Sequence, residues 1–403
     1  MRPPFLRGTR VLRSTRAPRV LTALVFLLAA ACTQPARPAP RAPATPPAGG
    51  TASPRQLDGG TVTAAPDLQR ARAVHTATRL PDGRVLIIGG CSTPGCGGTP
   101  LGGRAELFDP RTRSFAAGPT LAEARLGHTA TALADGRVLV AGGWPDEGRA
   151  PLANAEIFDP RSGRFTPAGS MTVARGGHTA NRLVDGRVLI VGGQNGSTIL
   201  ASAEIFDPST MRFVAAAQMP RPRDAHAAAV LRDGRVLVAG GRSGREILLD
   251  TALLFDPSRN AWTETGRLQE AKYKLALAPL PDGGALLVGG QTSDAREARV
   301  STTELFDART AKFQPGPTMA EPRFKISEAV VALADGRVVI GGGGSTVEIY
   351  ADGQLRQLAG RLGDERQFPT ATELADSSVL ITGGYNNSTV PTAQAFIAVP
   401  APR

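Results

Sequence analysis

The chain has 403 residues and a formal net charge of +11. Six arginines (Arg2, Arg7, Arg10, Arg13, Arg16 and Arg19) precede the first apolar run, and without them 40 basic residues face 35 acidic ones. So small an excess excludes a nucleic-acid binder built on a basic surface, while the length suffices for two or three domains or for one large repeat array.

Residues 20–31 form a 12-residue apolar run after the basic segment, too short to span a bilayer and the size of a secretory signal core. The run ends in Ala29-Ala30-Ala31-Cys32. This resembles the lipobox of bacterial lipoproteins, in which the signal is removed and the cysteine becomes the lipidated N-terminus. The resemblance implies residues 1–31 as a signal, Cys32 as the lipidation site, and a protein exported to the cell envelope and held on a membrane. Ala29 departs from the leucine usual there. Residues 32–58 are rich in Pro, Ala and Arg without apolar periodicity and read as a tether, able to reach on the order of 80 Å when extended.

From residue 59 to 400 the chain repeats itself. Residues 82–90, Asp-Gly-Arg followed by aliphatic residues and Gly-Gly, return in recognisable form at 135–143, 185–193, 233–241, 282–290, 335–343 and 376–384. The opening aspartates are 53, 50, 48, 49, 53 and 41 residues apart, the period of a supersecondary unit. Asp-Gly suits a tight turn, and the unbroken apolar run that follows reads as a strand covered on both faces. Gly-Gly then ends the strand and allows close backbone approach; no helix follows to make it a phosphate loop. After the first Gly-Gly, Cys91 and Cys96 share one short loop, and in an oxidising compartment such a pair reads as a disulfide; the loop has too few ligands for a metal.

A second constant block, Ala105-Glu106-Leu107-Phe108-Asp109-Pro110, recurs at 155–160, 203–208, 253–257, 303–308 and 347–352, with a degraded copy at 395–397. Asp-Pro predicts a turn, and the returning strand carries Phe115, Phe165, Phe213, Trp262 or Phe313, with Leu355 in the sixth unit. A basic residue follows, often with a histidine three places on, and then a small-residue strand. These residues resemble the kelch repeat, whose period they share. The resemblance implies an all-β, seven-bladed kelch-type β-propeller with four-stranded blades. One outer strand is missing at the C-terminus. Val62 precedes His75 by 13 residues just as Phe115 precedes His128, so residues 61–65 are expected to complete the seventh blade and close the ring.

The seven basic positions are Arg72, Arg125, Arg175, Arg223, Lys272, Arg323 (or Lys325, as the sixth unit carries two extra residues) and Arg366. In binding kelch domains that this chain resembles, arginines so placed line the channel mouth and hold acidic peptides; the alternative is a structural role in ion pairs. His75, His128, His178 and His226 recur at one repeat position, which reads as structural, as do Glu106, Glu156, Glu204, Glu304 and Glu348. Arg84 and Arg137 belong to the opposite channel end. The expectation is a monomeric binding or scaffold protein that recognises an anionic protein or carbohydrate ligand at the channel mouth, with no cofactor, metal or nucleic acid and with a lipid anchor as its contact with the membrane. The other reading is a carbohydrate-modifying kelch enzyme, of the galactose oxidase or N-acetylneuraminate epimerase type. Galactose oxidase uses two tyrosines, two histidines and a tyrosine-cysteine crosslink, and only Tyr273, Tyr350 and Tyr385 are available here.

Overall fold

The computed structural model describes residues 58–96, 101, 103–145 and 149–403. The signal segment, Cys32 and the tether up to residue 57 lie outside the described residues. Blade 1 comprises Thr76–Arg79, Val85–Ile88, Arg104–Asp109 and Ser114–Thr120, each strand antiparallel to the next. The same order gives blades 2 to 6, whose innermost strands are Thr129–Ala132, Thr179–Arg182, Ala227–Val230, Ala276–Pro279 and Val330–Ala332. Blade 7 takes Thr370–Glu373, Val379–Thr382 and Ala395–Pro400 from the C-terminus and Gly60–Ala65 from the other end of the propeller. Val62 lies opposite Ala398, so the expected N-terminal closure is found.

The continuous apolar strands follow their predicted logic. In Val85–Ile88 every residue is buried, and alternate side chains leave the sheet on opposite faces. Val85 and Ile87 pack with Leu380 and Ile397 of blade 7, whereas Leu86 and Ile88 pack with Val138, Val140 and Phe158 of blade 2. Each of the seven blade junctions has an apolar cluster of this kind. Toward the rim, Phe108 and Phe115 form a tilted pair across neighbouring strands with ring centroids 4.9 Å apart, and four further blades repeat it.

Gly-Gly is where adjacent blades touch backbone to backbone. Gly89 and Gly90 have φ of 62° and 85°, and a Cβ on Gly89 would lie 2.3 Å from the carbonyl oxygen of Arg125. The Gly90 N–H donates to that same oxygen at 2.8 Å. Corresponding bonds run from blade to blade around the molecule, and the last, Gly384 N–H to Arg72 O at 2.9 Å, returns to the first unit.

Candidate functional site

The seven basic residues are interior groups, each at most 2 % exposed. Arg72 pairs with Glu106 at 2.6 Å, Arg125 with Glu156 at 3.1 Å, Arg175 with Glu204 at 2.9 Å, Lys272 with Glu304 at 2.6 Å and Arg323 with Glu348 at 3.0 Å. The same carboxylates accept backbone N–H groups from the segment leading to the basic residue, as Glu106 does from Gln69 at 2.7 Å. Two blades lack the carboxylate. Leu253 stands opposite Val238 where Glu204 stands opposite Ile190, and Arg223 is left with the carbonyls of Gly240 and Thr251 and the Thr251 hydroxyl. In blade 7 Phe396 takes that place, and the Arg366 guanidinium lies 5.1 Å from its ring centre. Burial lowers the pKa of both unpaired arginines to about 10. The expectation that this ring lines the mouth is therefore corrected: all seven side chains are turned into the blades, five of them onto a third-strand glutamate.

The histidines join blades. His128 Nε2 shares a hydrogen bond of 2.9 Å with Thr76 Oγ1 of blade 1, and His178 and His226 repeat it with Thr129 and Thr179. His75 does the same with Thr382 of blade 7 at 3.0 Å. Burial is the largest cause of their lowered pKa, about 3 for His128 and His226, so these rings stay neutral. Where the partner threonine is Ala227, the next blade has Leu275 in place of histidine, and the two pack together. Away from this end, Arg84 and Arg137 pair with Asp82 and Asp135 of their own turns, both at 2.7 Å.

Two residues beyond each basic position, one residue per blade enters the left-handed backbone region: Val74, Gly127, Gly177, Ala225, Lys274, Lys325 and Phe368. Five of the seven are not glycine, an uncommon strain that recurs at binding and active sites. The turn directs backbone groups around the channel. Gly127 N–H donates to Val74 O, Gly177 to Gly127, Lys274 to Ala225, Lys325 to Lys274 and Phe368 to Lys325, at 2.8 to 3.2 Å. A collar of backbone thus rims the mouth, and its side chains, rather than the arginines, face the opening.

Beneath the collar is a cavity of about 400 Å³ lined by inner strands. A second hollow of about 260 Å³ shares Lys274 and Lys325 with it and is walled by Tyr273, Asp294, Arg299, Phe324, Gln367 and Asn387. The Lys325 ammonium lies 5.1 and 5.3 Å from the ring centres of Phe324 and Phe368 and donates to Gln367 Oε1 at 2.9 Å. Lys274 lies 4.4 Å from the Tyr273 ring centre. Arg242 and Arg299 are neutralised by Asp224 and Glu365. Neither lysine has an ion-pair partner among the described residues. Burial, then the neighbouring Lys274 and Arg299, lowers the pKa of Lys325 to about 8, and burial likewise lowers that of Lys274. Beside this hollow, the expected Cys91–Cys96 disulfide is formed, with the Tyr385 hydroxyl 3.2 Å from Cys91 Sγ.

A family model described as the KLHDC2/KLHL20/DRC7 Kelch-repeats domain matches residues 74–274. No curated protein matches the chain. Among solved structures, the chain is similar to one titled "Novel fungal alcohol oxidase with catalytic diversity among the AA5 family, in complex with copper". The identity is 16% over 85% of this chain and 76% of that one, with a TM-score of 0.68, which is a likeness of fold. The donors of this chain do not fit a copper centre. Its histidines bond threonines at four separate blade junctions, the Tyr273 hydroxyl goes to Asp294, Tyr350 packs between blades, and both described cysteines are in the disulfide. Among the described residues no three His, Cys, Asp or Glu side chains gather as metal ligands. Repeat, blade order, closure and family match agree: the chain is a kelch-repeat β-propeller protein.

Proposed function

We propose that this protein is an exported binding protein, lipid-anchored through Cys32, whose propeller captures an anionic ligand at the collar end of the channel. The observation that carries the reading is the pair Lys274 and Lys325, two ammonium groups without ion-pair partners among the described residues, beside an opening of ligand size. Their ammonium groups lie over aromatic rings, which holds the charges in place without neutralising them. The kelch fold itself supports a binding or scaffold role, and fold alone leaves the ligand open. A carboxylate or sulfate suits two neighbouring ammonium groups, and one charge-assisted hydrogen bond is worth roughly 1.5 to 3 kcal/mol.

The test is a binding screen of acidic glycans and peptides, followed by titration of any hit across pH. Lys325 carries its full charge well below pH 8 and loses it as pH rises past that value. Affinity is therefore expected to fall between about pH 7 and 9, by tenfold or more. Lys325→Arg keeps its charge and flattens this dependence, and the double variant Lys274→Met/Lys325→Met abolishes binding. A hit that binds the double variant as tightly as the original chain disproves the assignment.

A further inference from the structure

We infer that the channel takes a small zwitterionic ligand, which sets its anionic group on Lys274 and Lys325 and its ammonium group on Glu328 inside the lumen. This rests on the mouth being an anion site and adds the other half of the ligand.

The observation begins with a break in the repeat. From the buried basic residue to the aspartate of the next turn there are 10 positions in six units, as from Arg125 to Asp135, and 12 in the sixth, from Arg323 to Asp335. Blade 6 takes up the two extra residues at the start of its inner strand. Ala329 N–H donates to Ile326 O at 2.9 Å, which closes a turn with Ser327 and Glu328 at its tip. Both tip residues are exposed and both line the channel cavity. The Glu328 carbonyl meanwhile accepts the Ala371 N–H of blade 7 at 2.7 Å, so the turn is fixed in the wall. Departures from an otherwise consistent pattern tend to mark function.

The carboxyl of Glu328 has no hydrogen-bond or ion-pair partner among the described residues, although it stands deep enough that burial raises its pKa. The other acidic group of the lining, Asp224, is occupied by Arg242 at 2.9 Å. The four lining histidines are neutral and bonded to threonines. Most of the remaining wall is small: Thr129, Ala130, Thr131, Ala180, Ala227 and Ala276. One available carboxyl and two available ammonium groups thus line the same cavity, which has opposite charge preferences at two places on its wall. A simple cation would be repelled at the mouth, and a simple anion would leave Glu328 unsatisfied. A molecule with both charges meets both, and a volume of about 400 Å³ confines it to small-ligand size.

The probes are ω-amino carboxylic acids of three to eight carbons and the unsubstituted alkanoates of the same lengths, titrated calorimetrically into the purified full chain. At least one amino acid of the series is expected to bind tenfold or more tightly than its alkanoate, with its length reporting the distance from the lysines to Glu328. Glu328→Gln, which keeps the backbone bond to Ala371, is expected to erase that preference while leaving alkanoate affinity and melting temperature unchanged. Alkanoates that bind as well as their amino counterparts, or a preference that survives in Glu328→Gln, overturn the inference but leave the anion site standing. Failure of both series to bind removes the anion site and the inference with it.

Discussion

Arg125 and Arg223 occupy the same place in blades 2 and 4, yet one meets a carboxylate and the other does not. Removing one member of a buried ion pair strands the other charge, at about 3–5 kcal/mol. Arg125→Met should therefore destabilise the fold by roughly that amount, by orphaning Glu156, whereas Arg223→Met, which orphans only uncharged acceptors (two carbonyls and the Thr251 hydroxyl), should cost clearly less, about 1–3 kcal/mol. Denaturant unfolding of the two variants measures the difference, and equal losses would show that the glutamate is not what holds the arginine. The periodic recurrence of these residues was legible in the sequence, and so was the possibility of ion pairing. What periodicity does not encode is direction: the same spacing serves an arginine turned into the blade or out to the mouth. The glutamate of the same unit was the available signal, since it repeats with the arginine and is absent as Leu253 and Phe396 in the units where the arginine goes unpaired. A pairing of His with the preceding unit's Thr, and of Leu275 with Ala227, was equally present and passed unread.

At the level of elements, Gly60–Ala65 does more than fill a vacant edge. It pairs along its length with Ala395–Pro400, and its Val62 N–H donates to Ala359 O at 2.7 Å, so it also ties blade 7 to the end of blade 6. Deleting residues 1–66 should open the outer edge of blade 7 and lower the melting temperature or solubility, while deleting residues 33–56 should leave melting unchanged. Thermal denaturation of the two truncations decides it, and identical melting would remove the strand from the ring. This closure was legible because the 13-residue spacing from outer strand to histidine is set by the blade itself. The inner strand of blade 6 was legible only as an irregular length. An insertion shows where the pattern breaks, and only packing decides whether the surplus residues turn outward to solvent or inward to the lumen.

For the whole molecule, the proposed location rests on Cys32, and if that proposal holds Cys32→Ser releases the protein from the membrane fraction into the soluble one. Finding the unaltered protein already cleaved and soluble on fractionation would end the lipoprotein assignment. The seven-fold plan was the most legible property of all, since each unit restates it; the candidate ligand site was the least, since it consists of what differs between units. Lys274, Lys325 and Phe368 stand where other blades carry Val, Gly or Ala, and a search for recurring residues passes over them. The backbone collar gives that difference a mechanical meaning. Its five bonds leave two joints unbridged among the described residues, between Gly177 and Ala225 and between Phe368 and Val74. The rim is thus two arcs, one running from Val74 to Gly177 and the other from Ala225 to Phe368. Both lysines ride on the second arc, where the bond from Lys325 N–H to Lys274 O ties their backbones directly, so the spacing of the charged pair is set by the rim itself.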